Sequence, residues 1–158
     1  MPQMLFADDS PRLINLYNIH TDEYLDITYY KNGSYLPDAL LRIDQIMIDR
    51  RSGDTTAMDT KLIDTLYSLQ TLSNTKEPLE IICGYRSPVT NAHMSQPGSG
   101  VAKHSFHTLG KAADIHIQNL TLEQSRALAL TLQAGGVGYY PKSGFIHVDV
   151  GPIRQWIG

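Results

Sequence analysis

Two histidines and an aspartate are the residues of this sequence best suited to chemistry. In the stretch Ser105–Ile117, S-F-H-T-L-G-K-A-A-D-I-H-I, His107 and Asp114 stand seven residues apart with Gly110 between them. A second stretch, G-F-I-H-V-D-V-G over Gly144–Gly151, contributes His147. Imidazole nitrogen and carboxylate oxygen are what zinc takes where thiolates are scarce. Two imidazoles and one carboxylate leave a fourth position for water, the arrangement of a catalytic site. The single cysteine, Cys83, excludes an internal disulfide and a Cys-rich structural zinc site. Lying in the apolar run Ile81-Ile82-Cys83, it reads as a small buried hydrophobe. Four of the six histidines, His104, His107, His116 and His147, fall near the two stretches. Spacing alone leaves two readings open: a metal site, or histidines of the surface and of a hydrogen-bonded core.

Both stretches end in apolar alternation, which predicts strands, and a strand turns every second side chain to the same face. Asp114 and His116 therefore share one face of their strand, as do His147 and Asp149. Upstream, Leu79–Tyr85 predicts another strand. It leads into G-Y-R-S-P-V-T-N, where Arg86 emerges as the chain leaves the strand, either a solvated charge or a site residue. Ser87-Pro88 opens a turn and a short helix through Asn91 and His93, and Ser95–Gly100 is the most loop-like segment, expected to be mobile.

The rest reads as scaffold. Arg12–Ile19 and Tyr24–Tyr30 predict a β-ribbon turning at His20–Glu23, with a further turn at Lys31–Ser34 whose Asn-Gly supplies positive φ. Tyr17, Tyr24, Tyr29, Tyr30 and Tyr35 fit cross-strand packing there better than a substrate groove. Helices are expected from Pro37 to about Asp49, with Leu40, Ile43 and Met47 on one face, and from Asp59 to Ser73, with Leu62, Leu66, Leu69 and Leu72. Thr121 and Gln124 form a capping box for a third long helix that stops at Gly135-Gly136. Val137–Tyr140 and Phe145–Val150 make a hairpin, and Arg154 and Trp156 close the chain. The order of elements predicts an α+β fold, a small, mostly antiparallel sheet with segregated helices.

At 158 residues, 42% hydrophobic and 18% charged, the chain is of a size for one globular domain. Residues 1–11 read as a loose leader and 12–158 as the domain. A net charge of −3 gives no reason to expect a nucleic-acid partner, and no apolar run has membrane-spanning length. No basic and apolar signal segment is visible at the start. A monomer is expected.

The pattern Ser105-x-His107-x-x-Gly110-x-Ala112-x-Asp114, with His147 on a late strand, resembles the D-alanyl-D-alanine carboxypeptidase-like zinc peptidases, a superfamily that includes the zinc domain of hedgehog proteins. Within it the sequence is most similar to the YcbK-like (MepK-type) murein endopeptidases. Gly84–Asn91, Val101–His107 and Val137–Trp156 carry their motifs, and the likeness runs from about Arg12 to Trp156. The resemblance implies a hedgehog/D-Ala-D-Ala-peptidase-like fold and one Zn2+ held by His107, Asp114 and His147. It also implies that Arg86 stabilises an oxyanion or anchors a substrate carboxylate. The implied reaction is hydrolysis of peptide cross-links between peptidoglycan stem peptides, especially between two meso-diaminopimelate residues, in the periplasm or cell envelope.

One departure concerns the general base. Many superfamily members carry it just upstream of the last ligand, where this chain has Lys142-Ser143-Gly144-Phe145-Ile146. Asp149 is the candidate here, with His104 and His116 as rivals; alternatively Asp149 only orients a zinc-bound histidine. His104, Ser105, His116 and Tyr140 are the remaining candidates for supporting or substrate contacts. Three other readings compete: a zinc-stabilised module that binds peptidoglycan without cleaving it, a D,D-carboxypeptidase, and a phage-type endolysin.

Overall fold

Alternating apolar residues in Arg12–Asn18 form β1, whose Leu16 and Ile14 are fully buried. It pairs antiparallel with β2, Glu23–Lys31, and the ribbon continues through an Asn32-Gly33 turn, both residues at positive φ, into β3, Ser34–Tyr35. The tyrosines pack across strands: Tyr17 stacks on its partner Tyr24 at 4.3 Å, and Tyr30 meets Tyr35 edge-on at 5.1 Å. The structure, a computed structural model, describes residues 9–158, so most of the expected leader lies outside the described residues.

Helix α1 spans Pro37–Ile46 and α2 spans Thr60–Ser73, capped by the Asp59 carboxylate on the Lys61 amide. Helix α1 stops three residues short of Asp49, where the Ile48 amide turns to the Gln45 carbonyl at 3.3 Å and the Asp49 amide to the Asp54 carbonyl at 2.9 Å. On α2 the buried face is Leu62, Ile63, Leu66 and Leu69, whereas Leu72, expected there, is 43% exposed. Strand β4, Leu79–Cys83, runs parallel to β1, and α3, Pro88–Met94, follows it. Next come β5 (Ala112–His116), α4 (Leu122–Leu132), β6 (Gly136–Tyr140), β7 (Phe145–Asp149) and β8 (Arg154–Ile157). The Thr121–Gln124 capping box is formed, but α4 ends with Gln133 in the left-handed conformation, ahead of the glycine pair.

All eight strands join one sheet in the order β3-β2-β1-β4-β5-β7-β6-β8. The expected α+β architecture is the one found, with a larger sheet than anticipated. Its pairings are antiparallel except β1–β4 and β6–β8, and β8, which sequence patterning does not reveal, adds the far edge. Ala113, Ile115 and Ile117 of the β5 stretch and Ile146 and Val148 of β7 enter the core that also holds Leu62, Leu66 and Leu69. By strand alternation the intervening residues, Asp114, His147 and Asp149, face the other side of the sheet. No helix among the described residues is long and apolar enough to cross a membrane.

Candidate metal centre and catalytic cleft

The site is one row across five strands. Cys83 of β4 lies opposite Asp114 of β5, Asp114 opposite His147 of β7, His147 opposite Gly138 of β6, and Gly138 opposite Trp156 of β8. His107 comes from outside the sheet, on a single 3-10 turn, Phe106–Leu109, that precedes β5. Ser105 caps that turn by accepting from the His107 amide, and Gly110 at φ 67° ends it. A side chain at Gly110 would strike the Ala57 carbonyl, so this position requires glycine for both conformation and space.

Three atoms converge. His107 Nε2 is 3.2 Å from Asp114 Oδ1 and 3.2 Å from His147 Nδ1, and His147 Nδ1 is 2.9 Å from Asp114 Oδ1. Ligands about 2.0–2.1 Å from a tetrahedral ion stand about 3.3 Å from one another. The observed triangle is within a few tenths of an ångström of that, with every member buried. His107 Nδ1 lies 2.7 Å from the Gly84 carbonyl, which can only accept, so that nitrogen carries the hydrogen and Nε2 keeps its lone pair. His147 Nε2 donates to Asp149 Oδ2 at 2.8 Å, leaving Nδ1 as the free lone pair. Both tautomers are thereby set by partners on the far side of each ring.

The electrostatics point the same way. Burial works to lower the His107 pKa, but the Asp114 carboxylate and Cys83 outweigh it and hold it well above the ordinary value. Burial works to raise the Asp114 pKa, and His107 and His147 depress it far below the usual carboxylate range. The buried Asp114 carboxylate calls for a positive charge beside it, which either a proton on His107 Nε2 or a cation at the centre supplies.

Cys83 belongs to this neighbourhood, against the reading of it as a plain buried hydrophobe. It is half-buried, with Sγ 3.6 Å from His107 Nδ1 and 3.5 Å from Arg86 Nη2. Cys83, His107 and Asp114 also form a compact group of potential ligands. The set containing His147 is the better one, because Cys83 approaches the His107 nitrogen already bound to the Gly84 carbonyl, not the one facing Asp114.

Asp149 is almost fully buried and takes five N–H donors. Oδ1 accepts from the Gly136 and Gly151 amides, each at 2.9 Å, and from Arg154 Nη1 at 3.0 Å. Oδ2 accepts from His147 Nε2 and Arg154 Nη2, both at 2.8 Å. Burial raises its pKa, but these donors prevail and hold it well below the carboxylate range. The Arg154 guanidinium also lies between the Phe106 and Trp156 rings, 5.3 and 4.9 Å from their centroids.

A cleft of about 780 Å³ opens over His107, Asp114 and His147 and is lined by Arg86, His104, Ser105, Tyr140, Lys142 and Trp156 among others. Arg86 is buried; its backbone donates to the His107 carbonyl at 3.1 Å and its guanidinium to Asn91 Oδ1 at 3.1 Å. None of the described carboxylates forms an ion pair with it. Tyr140 accepts from Trp156 Nε1 at 2.9 Å, which holds the indole 5.1 Å from the His147 ring. His104 is exposed at the cleft wall. His116 is elsewhere: its Nδ1 pairs with Glu80 at 2.6 Å, and it does not line the cleft. Sequence reasoning gave no role to Cys83, Asn91, Arg154 or Trp156 individually; for the last three, the motifs around Gly84–Asn91 and Val137–Trp156 are the available signal.

The family model described as peptidoglycan L,D-endopeptidase MepK matches residues 7–156. The peptidoglycan L,D-endopeptidase MepK of Escherichia coli (strain K12) is 41% identical over 159 residues, covering 99% of this chain and 87% of that one. A probable peptidoglycan L,D-endopeptidase MepK of Haemophilus influenzae is 42% identical over 155 residues, covering 98% of this chain and 83% of the relative. With a metal-ready triad in a cleft and a family match running almost end to end, the chain belongs to the peptidoglycan L,D-endopeptidase MepK family.

Proposed function

We infer that this chain is a metal-dependent peptidoglycan endopeptidase, a single catalytic domain over residues 12–158. The observation that carries the reading is the meeting of His107 Nε2, Asp114 Oδ1 and His147 Nδ1 within 3.2 Å of one another under an open cleft. These three atoms would hold one Zn2+. When bound, zinc supplies Lewis acidity, lowering the pKa of a coordinated water to about 7 and polarising the scissile carbonyl.

The chain's own residues do the rest. Arg86, buried and paired with none of the described carboxylates, donates to the negative charge that develops on the carbonyl oxygen; losing such a donor costs about 10²–10³ in rate. Asp149 keeps the hydrogen on His147 Nε2 and so aims Nδ1 at the ion. With all five of its contacts directed to N–H donors, its geometry favours orienting His147 over accepting a proton from water. Trp156 and Tyr140 wall the cleft beside His147, and His104 and Ser105 wall it beside His107. The substrate is a cross-link of peptidoglycan stem peptides, of the L,D type named for the relatives and joining two meso-diaminopimelate residues. Such a substrate puts the enzyme's work in the periplasm or cell envelope.

The test is digestion of purified muropeptide dimers, followed by mass spectrometry. Wild-type protein with zinc should convert dimers to monomers by adding one water. Chelation should abolish this, zinc should restore it, and His107→Ala should lack it. Conversion by His107→Ala at the wild-type rate sinks the assignment. Binding without products would make the chain a recognition module, and loss of a terminal D-Ala alone would make it a carboxypeptidase.

A further inference from the structure

Asn91 is 2% exposed, and both donor hydrogens and the oxygen of its side-chain amide are engaged. Oδ1 accepts from Arg86 Nη1 at 3.1 Å, while Nδ2 donates to the carbonyls of Ala102 and Lys103, both at 3.1 Å. The orientation of this amide is forced, since a guanidinium can only donate and carbonyls can only accept. Asn91 is itself fixed by α3: its backbone amide donates to the Ser87 carbonyl at 2.9 Å, and its carbonyl accepts from the Ser95 amide at 2.9 Å.

The segment it holds, 101–104, has no helix or strand of its own, yet Val101, Ala102 and His104 line the same cleft as Arg86 and the metal set. Two consecutive carbonyls of this strap end on one side chain. Among the described residues, the only other side-chain partner of the Arg86 guanidinium is Cys83 Sγ at 3.5 Å, a weak acceptor. The placement of the arginine and of the cleft wall therefore runs through one buried amide.

We propose that Asn91 is a positioning residue for the reaction, locking the Arg86 guanidinium and the 101–104 strap into one unit. Substrate lying along the strap and oxyanion stabilisation by the arginine are then coupled: a displaced wall displaces the donor. The proposal rests on the role given to Arg86 above. Asn91 touches neither the metal set nor the reacting bond, so its effect on kcat passes through Arg86, while its hold on the substrate-lining strap is read in KM.

The test is a double-mutant cycle on muropeptide-dimer hydrolysis at saturating zinc, with bound metal and Tm measured for every variant. Asn91→Ala should lower kcat about 10- to 100-fold, the scale of a misplaced catalytic group, with bound metal unchanged. In an Arg86→Ala background the same substitution should lower kcat less than about threefold, because contacting groups in one chain of action are not additive. Asn91→Asp is run alongside as the shape-conserving variant. It should also lose activity only where Arg86 is present, because its carboxylate withdraws the guanidinium from substrate and cannot hold the strap carbonyls. Equal losses in both backgrounds, or an Asn91→Ala enzyme with wild-type kcat, overturn the proposal. Wild-type kcat for Arg86→Ala alone is a separate result: it removes the role of Arg86 itself and the coupling with it.

Discussion

Replacing Asp149 by asparagine separates two jobs a carboxylate beside a zinc ligand can do. Asparagine keeps one oxygen, so the Gly136, Gly151 and Arg154 Nη1 donors on Oδ1 retain an acceptor. The amide NH2 then replaces Oδ2 and faces His147 Nε2–H and Arg154 Nη2, donor against donor. His147 loses the partner that fixes its tautomer, and removal of such a partner costs about 10- to 100-fold in metal affinity, about 1.4–2.8 kcal/mol. Stability falls too. Because Arg154 is 39% exposed, the loss should be about 2 kcal/mol rather than the 3–5 of a fully buried pair, a drop in Tm of about 4–8 °C. The sole tryptophan, Trp156, sits 5.1 Å from the His147 ring, so its emission should report zinc binding in competition with a chelator. The expected outcome is weaker zinc binding with kcat largely restored at saturating metal. A general base would behave otherwise, leaving affinity intact while kcat falls about 10²–10⁴-fold. Unchanged affinity with a kcat at least 100-fold down at saturating zinc refutes the orienting role.

Two further substitutions probe the surroundings. Cys83→Ala should retain one zinc per chain and activity within about threefold, since the His107 nitrogen it approaches is committed to the Gly84 carbonyl; loss of the metal would make Cys83 a ligand. Asp49 carries a pH signature. Burial raises its pKa, but the Ser87 amide at 2.9 Å, the Thr90 hydroxyl and the Arg51 amide at 2.9 Å together depress it well below the carboxylate range. A depressed folded pKa contributes stability above the unfolded value of about 3.9 and loses it as pH falls toward the folded one. Asp49→Asn should therefore lower Tm most at pH 6–7 (about two units above that value), with the gap narrowing below about pH 4. A gap independent of pH, read by thermal unfolding from neutral to acid, contradicts this account.

How much of the site could be read in the sequence depends on the distance over which each feature is determined. Asp114 and His147 were legible because strand alternation is local: once Ala113, Ile115, Ile146 and Val148 are apolar, the residues between them must face away. The network around Asp149 was not, because Arg154 reaches it from β8, a four-residue edge strand without clear alternation. Cys83 misled because its apolar neighbours suggest the core, whereas the β4–β5 register shifts between Ile81 and Cys83 and re-aims the side chain. Asp64 was silent in a leucine-rich helix, yet its carboxylate takes the Arg12 guanidinium at 2.7 Å and the Tyr29 and Tyr35 hydroxyls at 2.7 and 2.6 Å. Its partners lie more than 25 residues away along the chain, beyond the reach of any local pattern.

The direct pairing of Asp114 with His147 across β5 and β7 has a consequence for how the protein reaches its active form. Were those strands to zip together one residue out of step, one of the two would turn into the apolar interior and the other would face the cleft alone. On the proposed ligand set, only the correctly threaded sheet brings all three donors to one point. At a thousand times its dissociation constant, an ion bound only there would favour that sheet by about 4 kcal/mol over slipped alternatives. Zinc held by these three residues would thus serve as a checksum on strand pairing as well as a reagent, and a mispaired chain would lack the site that cuts the wall.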